Sequence, residues 1–369
     1  DFGLMLGFNL QEQNFLGSGN TVGIGINKNI YSEMYNISYM NPYATRDGVS
    51  LGYNLYFRET DYGEFNVANY LTNSNGFGAQ FGYPISDITR LGFNITYDKT
   101  DIDVGSLPAR EIYDFVSAEG NIFETLSAQL SWQRVTLNRG LFPTDGASTV
   151  LSFSSTIPGS DLSYYRLNVR QRYYQPLTQN LVFGFQGELG YLNAYGDTEE
   201  TPFFQNFYAG GPRSLRGFES NTLGPRSTDA PCYEFNYAEG TCPNLLDIDG
   251  DGELDTPYYN PYANQTSRYR DAPIGGNIKI EGSLQLIFKL PFIEDQRSLR
   301  SAFFFDFGNV FSDNCKEYQI NCSEPSIDDL RYSYGVGITW ITGFGPMSLA
   351  IAKPTNAGPR ERTEEFQFT

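Results

Sequence analysis

The sequence predicts an all-β chain folded as a single transmembrane antiparallel β-barrel spanning residues 1–369. Three observations carry that reading. Hydrophobicity alternates with a two-residue period from end to end, the connections alternate between short and long, and the composition is aromatic-rich and charge-poor. The 369 residues include Gly 38, Tyr 27 and Phe 29, with 18% charged residues, a profile that suits strands and turns better than helices. No apolar run approaches the ~18 residues of a spanning helix, and the mean hydropathy is -0.39, so a helical membrane protein is excluded. A barrel is not, because its strands need only ~10 alternating residues each.

In chain order, a first strand is read at 3–11. Val22, Ile24 and Ile26 then alternate with Gly23, Gly25 and Asn27. Val49, Leu51, Tyr53, Leu55 and Phe57 alternate with Ser50, Gly52, Asn54 and Arg58, and Leu91, Phe93, Ile95 and Tyr97 with Gly92, Asn94 and Thr96. The pattern recurs at 126–132, 151–157, 165–173, 181–191, 278–288, 299–307, 332–340 and 347–351, with a last strand at 364–369. One face is aliphatic and aromatic; the other is Gly, Ser, Asn, Gln and charge. A soluble sandwich with that second face inside would strand polar groups in a dry core.

Short Pro/Gly turns at 41–48, 84–88, 142–146, 176–180, 291–298 and 343–346 alternate with longer polar connections at 59–75, 100–124, 196–275 and 312–330. Outer-membrane barrels show this asymmetry between their two rims. Tyr97, Tyr191 and Trp340 at strand ends fit interfacial aromatic girdles. About fifteen strands are counted, whereas bacterial single-chain barrels have even numbers. The turn at 13–19 falls on the short-turn side, which starts Asp1 on the long-loop side. The expectation is therefore a barrel of about 16 strands in the full protein, with the first strand absent from this chain. The last strand, at about six residues against the ~9 to 11 needed to span, is read as truncated.

The formal charge of -18 argues against a nucleic-acid partner, which needs a basic surface. There is no His, which removes the commonest general base and zinc ligand. Serine-triad and Cys/His chemistries have no base, so no enzyme and no required cofactor are expected. The four cysteines form two local pairs, Cys232 with Cys242 and Cys315 with Cys322. Spacings of about ten and seven residues suit disulfide-closed loops in an oxidising compartment, with free thiols as the alternative. In D-I-D-G-D-G-E-L-D, residues Asp247, Asp249, Asp251 and Asp255 fall at positions one, three, five and nine of a calcium loop, with Gly252 at six. Position twelve is Tyr258 where such loops place a bidentate acid, so a structural Ca²⁺ site stands against a solvated acidic loop.

The stretch N-F-Y-A-G-G-P-R-S-L-R-G-F at 206–218 is too apolar for an ordinary surface loop, and it opens the long segment that runs to about residue 276. Within it G-G-P-R-S-L-R-G-F resembles the loop motif of the BamA family of barrel-assembly proteins and of its relatives in the outer-membrane assembly and secretion superfamily. The similarity extends to N-F-L-G-S-G-N at 14–20, N-P-Y-A-T-R-D-G-V-S-L-G at 41–52, L-F-P-T-D-G at 141–146, I-P-G-S-D at 157–161 and E-E-F-Q-F at 364–368. R-G-F alone marks the superfamily; the set together resembles the BamA family.

That resemblance implies a barrel preceded by periplasmic POTRA domains, located in the outer membrane of a Gram-negative bacterium. It implies an assembly factor that inserts other β-barrel proteins through a lateral seam between first and last strands. Its partners would be unfolded outer-membrane clients, accessory lipoproteins, and the lipids and lipopolysaccharide around it. A polypeptide-secretion channel of the same superfamily is the alternative. The 196–275 loop would fold into the barrel, presenting Gly210, Gly211, Arg216, Gly217 and Phe218 to the lumen. In the family the arginine of R-G-F pairs with acids on the two strands that follow. Alternation places Lys279, Glu281, Ser283 and Gln285 inward on one of these and Arg300 and Asp306 on the next. Asp306, in F-F-F-D-F-G, matches the family acid. Gln285 stands where relatives often have Glu, so either a neutral hydrogen bond or substitution by Glu281 is expected there.

Overall fold

The computed structural model describes residues 6–29, 31–63, 67, 70–104, 109–228, 272–290, 293, 298–316, 319, 321–343 and 345–369. Fifteen strands form one sheet in chain order. They are β1 (Leu6–Glu12), β2 (Thr21–Lys28), β3 (Ser32–Asn41), β4 (Ser50–Asp61), β5 (Leu71–Ser86), β6 (Thr89–Asp103), β7 (Ile122–Val135) and β8 (Gly146–Thr156). After them come β9 (Tyr164–Thr178), β10 (Leu181–Ala194), β11 (Ile278–Phe288), β12 (Leu299–Phe311), β13 (Arg331–Thr342), β14 (Gly345–Thr355) and β15 (Phe366–Phe368). Each strand pairs antiparallel with the next, so every connection is a hairpin and the sheet needs no crossover.

The two faces of this sheet are inverted relative to a water-soluble protein. Phe8 is 58% exposed, Leu55 55% and Phe303 55%, and they belong to an outward set that includes Leu6, Leu10, Ile24, Ile37, Phe77, Phe93, Leu130, Leu284, Phe305 and Ile351. So much exposed apolar surface on consecutive strands is stable only against lipid. Neighbouring outward rings also meet across strands: Tyr53 lies 6.3 Å from Tyr39 and 6.0 Å from Phe77, both stacked. Inward, a cavity of about 740 Å³ is lined by polar side chains of β4 to β9, among them Ser74, Thr96, Gln129 and Asn168. The sheet curls around the described part of the β10–β11 connection, 195–228 and 272–277, whose residues touch β9, β11, β12, β14 and β15.

Three local features depart from the alternation pattern. β3 carries Met34 and Met40 on the polar face, which blurs its period. β5 starts at Leu71, inside the stretch read as a connection, because residues 72–75, T-N-S-N, are polar on both faces where a strand rises out of the bilayer. The 100–124 connection contains a helix, α1 (Arg110–Glu119), closed by Gly120 at φ 95° with its N–H on the Val116 carbonyl. Ile112 and Phe115 are buried there, a spacing of three on one helix face. They pack with Tyr70, Ile102, Phe123, Leu162 and Phe203 into an apolar cap over the long-loop rim, and Phe115 meets Phe203 edge-on at 5.4 Å.

In that cap the Thr228 N–H donates to Glu111 Oε2 at 2.9 Å. Burial pushes the Glu111 carboxyl above the ordinary carboxylate range, opposed by the Thr228 hydrogen bonds. A carboxyl whose folded pKa is raised favours folding most when protonated. The cap is therefore expected to be firmest below about pH 4.5 and to loosen as pH rises through the raised value. Glu111→Gln should abolish that slope, read as protection of residues 110–119 from hydrogen exchange corrected for intrinsic rates. On the wall, Leu284→Arg is expected to destabilise the barrel by about 2–4 kcal/mol, whereas Thr96→Arg, which enters the wet cavity, should stay within about 0.5 kcal/mol. Urea unfolding in lipid vesicles distinguishes the two.

Candidate functional site

The β10–β11 connection enters the lumen on a narrow ladder made by its two limbs. Phe207 and Gly276 exchange main-chain hydrogen bonds at 2.8 and 3.1 Å, and the Ser227 N–H donates to the Ala272 carbonyl at 2.8 Å. Between the limbs, Phe207, Ala209, Leu215, Phe218 and Leu223 bury themselves with Leu192 of β10 and Val310 of β12. Each large side chain so buried contributes about 1.5–3 kcal/mol, so this luminal plug is a core in its own right. The wall is shaped to receive it: a Cβ on Gly190 would sit 2.6 Å from the Phe207 ring.

Backbone geometry explains the glycines of the motif. Gly210 has φ 102°, and a Cβ there would fall 2.5 Å from the Glu219 carbonyl oxygen. Gly217 has φ 88°, and a Cβ would lie 3.0 Å from the Ala352 Cβ on β14. Both positions combine a left-handed turn with a close approach, which glycine alone accommodates. The Gly210 N–H donates to Ser214 Oγ at 2.9 Å, and Ser214 in turn donates to Glu281 on β11. This turn directs Arg216 at the wall.

Arg216 is held on every side. Its Nε donates to Asp306 Oδ2 and its Nη2 to Asp306 Oδ1, both at 2.7 Å, a two-pronged fork. Nη2 also donates to Ser283 Oγ at 3.0 Å, and the Arg216 main-chain N–H to Asp306 Oδ2 at 3.2 Å. The guanidinium lies 3.5 Å from the centroid of the Phe304 ring, a cation–π contact. The Asp306 side chain is 0% exposed and that of Arg216 16%, so the pair is sheltered from water and from salt screening.

Glu281 and Gln285 lie on the lumen face that alternation gives them, but the β11 side chain that Arg216 bonds is Ser283, between them. Alternation sets Glu281, Ser283 and Gln285 on one face, but the β11–β12 register places Ser283 opposite Asp306 and Gln285 opposite Phe304. The second partner of Arg216 is therefore Ser283. Glu281 holds the plug one step earlier, through Ser214, and bonds Lys279 at 2.9 Å; Gln285 donates to Ser283 Oγ at 3.2 Å and braces the residue that meets Arg216. Phe304 escaped the sequence reading although it lies two residues before Asp306 on the same face. Among the described residues, Cys315 and Cys322 form a disulfide. Cys232, Cys242, Asp247, Asp249, Asp251 and Asp255 lie outside the described residues. Among the described residues no group of three or more acidic or sulfur ligands could hold a metal ion.

The domain profile of the Omp85 superfamily matches residues 14–369. The outer membrane protein assembly factor BamA of Neisseria meningitidis serogroup B is 27% identical over 100% of this chain and 45% of its own length. The sorting and assembly machinery component 50 homolog of Mus musculus is 22% identical over 89% of this chain and 61% of its own. The chain thus spans under two thirds of the curated relatives it matches. Among solved structures, BamA from Haemophilus ducreyi lacking POTRA domains 1–3 superposes with a TM-score of 0.80 at 27% identity, covering 100% of this chain and 68% of that one. CdiB from Acinetobacter baumannii gives 0.55 at 12% identity over 99% of this chain and 56% of that one, a likeness of fold.

Removing one member of a buried ion pair costs about 3–5 kcal/mol, because the other charge is left without compensation. Asp306→Ala is expected to free the plug by that order, seen as faster protease cleavage within 207–227 while β4 to β8 keep their protection. Arg216→Lys keeps the charge but loses the fork and the flat stack on Phe304. An intermediate loss of plug protection is the expected outcome.

Proposed function

Because the chain belongs to the Omp85 superfamily, which spans all but its first residues, we propose that it is the barrel domain of an outer-membrane assembly factor. It folds and inserts other β-barrel proteins. The supporting observation is the end-to-end likeness to the BamA barrel at 27% identity and a TM-score of 0.80, together with the outward apolar belt, which on this reading faces the lipid of a Gram-negative outer membrane. The step forms no covalent bond. A client strand adds its main-chain groups to the edge of the sheet at the seam between the first and last strands of the barrel, the mode called β-augmentation. Unpaired edge groups in hydrocarbon are costly, which drives the client to pair and the seam to close again.

Clients on this reading are unfolded outer-membrane proteins, delivered by POTRA domains and accessory lipoproteins on the periplasmic side. Insertion of this kind calls for neither nucleotide nor metal, since burial of the client's apolar faces and pairing of its main chain in the bilayer supply the free energy. A Ca²⁺ bound by Asp247, Asp249, Asp251 and Asp255 would be structural; millimolar calcium giving no heat in calorimetry would remove it from the proposal.

Depletion of the parent protein in the living cell is expected to lower the whole set of outer-membrane barrels together. Loss of one exported protein with the barrels unchanged would point to a secretion channel and overturn the assembly reading. In purified form, the parent protein in lipid vesicles should speed the folding of an added barrel client, scored by its shifted migration in unheated gel samples.

A further inference from the structure

The segment that contains β15 is paired by two different partners along its length. From residue 365 onward it belongs to the sheet: the Ala352 N–H donates to the Glu365 carbonyl at 2.8 Å, Ser348 and Thr369 exchange bonds at 2.6 and 2.9 Å, and Phe366, Gln367 and Phe368 face Ile351, Ala350 and Leu349. Before that point it belongs to the plug. Phe218 and Thr363 form an antiparallel bridge, with the Glu219 N–H on the Arg362 carbonyl at 3.0 Å and the Glu364 N–H on the Gly217 carbonyl at 2.9 Å. Arg226 Nη2 donates to the Arg360 carbonyl at 2.7 Å, the Arg362 N–H to Thr222 Oγ1 at 2.9 Å, and Arg362 Nε lies 3.2 Å from Glu219 Oε2.

Gln367 joins the two zones. It sits in β15 yet faces the lumen and is 2% exposed. Its Oε1 accepts from the Gly217 N–H at 3.2 Å and its Nε2 donates to the Phe218 carbonyl at 2.7 Å. One side-chain amide therefore bonds both a donor and an acceptor of the plug main chain, as a neighbouring strand would. A primary amide supplies both functions without charge; among the other side chains of its length, ionised Glu lacks the donor and Met offers no donor and only a weak acceptor.

We propose that Gln367 is a positioning residue that locks β15 to the Gly217–Phe218 main chain, so that β15 and the R-G-F strip of the plug open and close as one unit. Arg216 fixes this strip to β12 from the other side, and the anchor reaches β15 through two peptide units. That β15 borders the route of an inserting client rests on the assembly reading; the locking itself does not.

Native-state hydrogen exchange on the full-length parent protein in lipid vesicles tests it, with the amides of Gly217, Glu219 and Glu364 as reporters. In the unaltered protein these three should share one opening equilibrium, within about threefold. Gln367→Met keeps volume and removes both bonds, and it should speed exchange roughly ten- to hundredfold at Gly217 and Glu219 as well as across 362–369, leaving β11 and β12 unchanged. Faster exchange confined to 362–369, or no change at all, overturns the proposal. If the variant does not fold, a difference above about tenfold among the three reporters in the unaltered protein overturns it instead. Coupled exchange together with an unaltered rate of client folding leaves the lock standing and counts against the assembly reading alone.

Discussion

Main-chain pairing is the constraint on which the rest of this chain depends. A backbone that crosses hydrocarbon has no water to satisfy its N–H and C=O groups, each of which costs several kcal/mol if left bare. A meander of antiparallel neighbours meets that demand with the shortest connections available, and the ladder from β1 to β15 follows chain order for this reason. Side-chain chemistry is then divided by the pleat. Alternate residues meet lipid or the lumen, so a strand's hydrophobicity is set by position more than by total content. This is why a chain with negative mean hydropathy presents an apolar belt.

A polar lumen creates a second demand, since a plug of Phe, Leu and Gly does not stay in a wet channel by hydrophobic contact with a polar wall. The chain answers locally. Around the plug, β10 and β12 contribute Leu192 and Val310, and Gly190 opens a recess for Phe207. The charged fork of Arg216 on Asp306 then supplies direction. Hydrophobic burial would tolerate the plug in several settings, whereas a planar guanidinium matched to a fully buried carboxylate and stacked on Phe304 accepts one. Apolar contact thus gives affinity, and the ion pair gives register.

The sequence made the wall legible and the plug only partly so. Runs such as Leu91, Phe93, Ile95 and Tyr97 announce both a strand and its lipid face, because the pleat of a barrel strand sends alternate residues to lipid and lumen. β3 and the start of β5 were harder for physical reasons: methionines invade the polar face in one, and the other begins beyond the bilayer where both faces are wet. Helix α1 hid in a polar stretch although Ile112 and Phe115 carry helical spacing. In the site, Arg216 and Asp306 were named through a family resemblance, while alternation put Glu281, Ser283 and Gln285 on a common face without choosing among them. Only the β11–β12 register, which no local pattern encodes, selects Ser283. Gln367 was invisible because its role depends on residues about 150 positions away in the chain, and a lone glutamine in a strand reads simply as an inward polar residue.

The recess at Gly190 has a kinetic side. Asn277 and Leu192 meet although 85 residues separate them, so closing β10 onto β11 is a long-range contact, one whose loop-closure entropy must be met before any pairing rewards it. Phe207 lies immediately inside that junction. The ring in the recess ties the first limb to β10, and the main-chain pairing of Phe207 with Gly276 ties the second limb to the first beside the very strands that have to meet. A plug that docks early would therefore act as a template for the barrel's own closure, with the Gly190 recess as the seat that receives it.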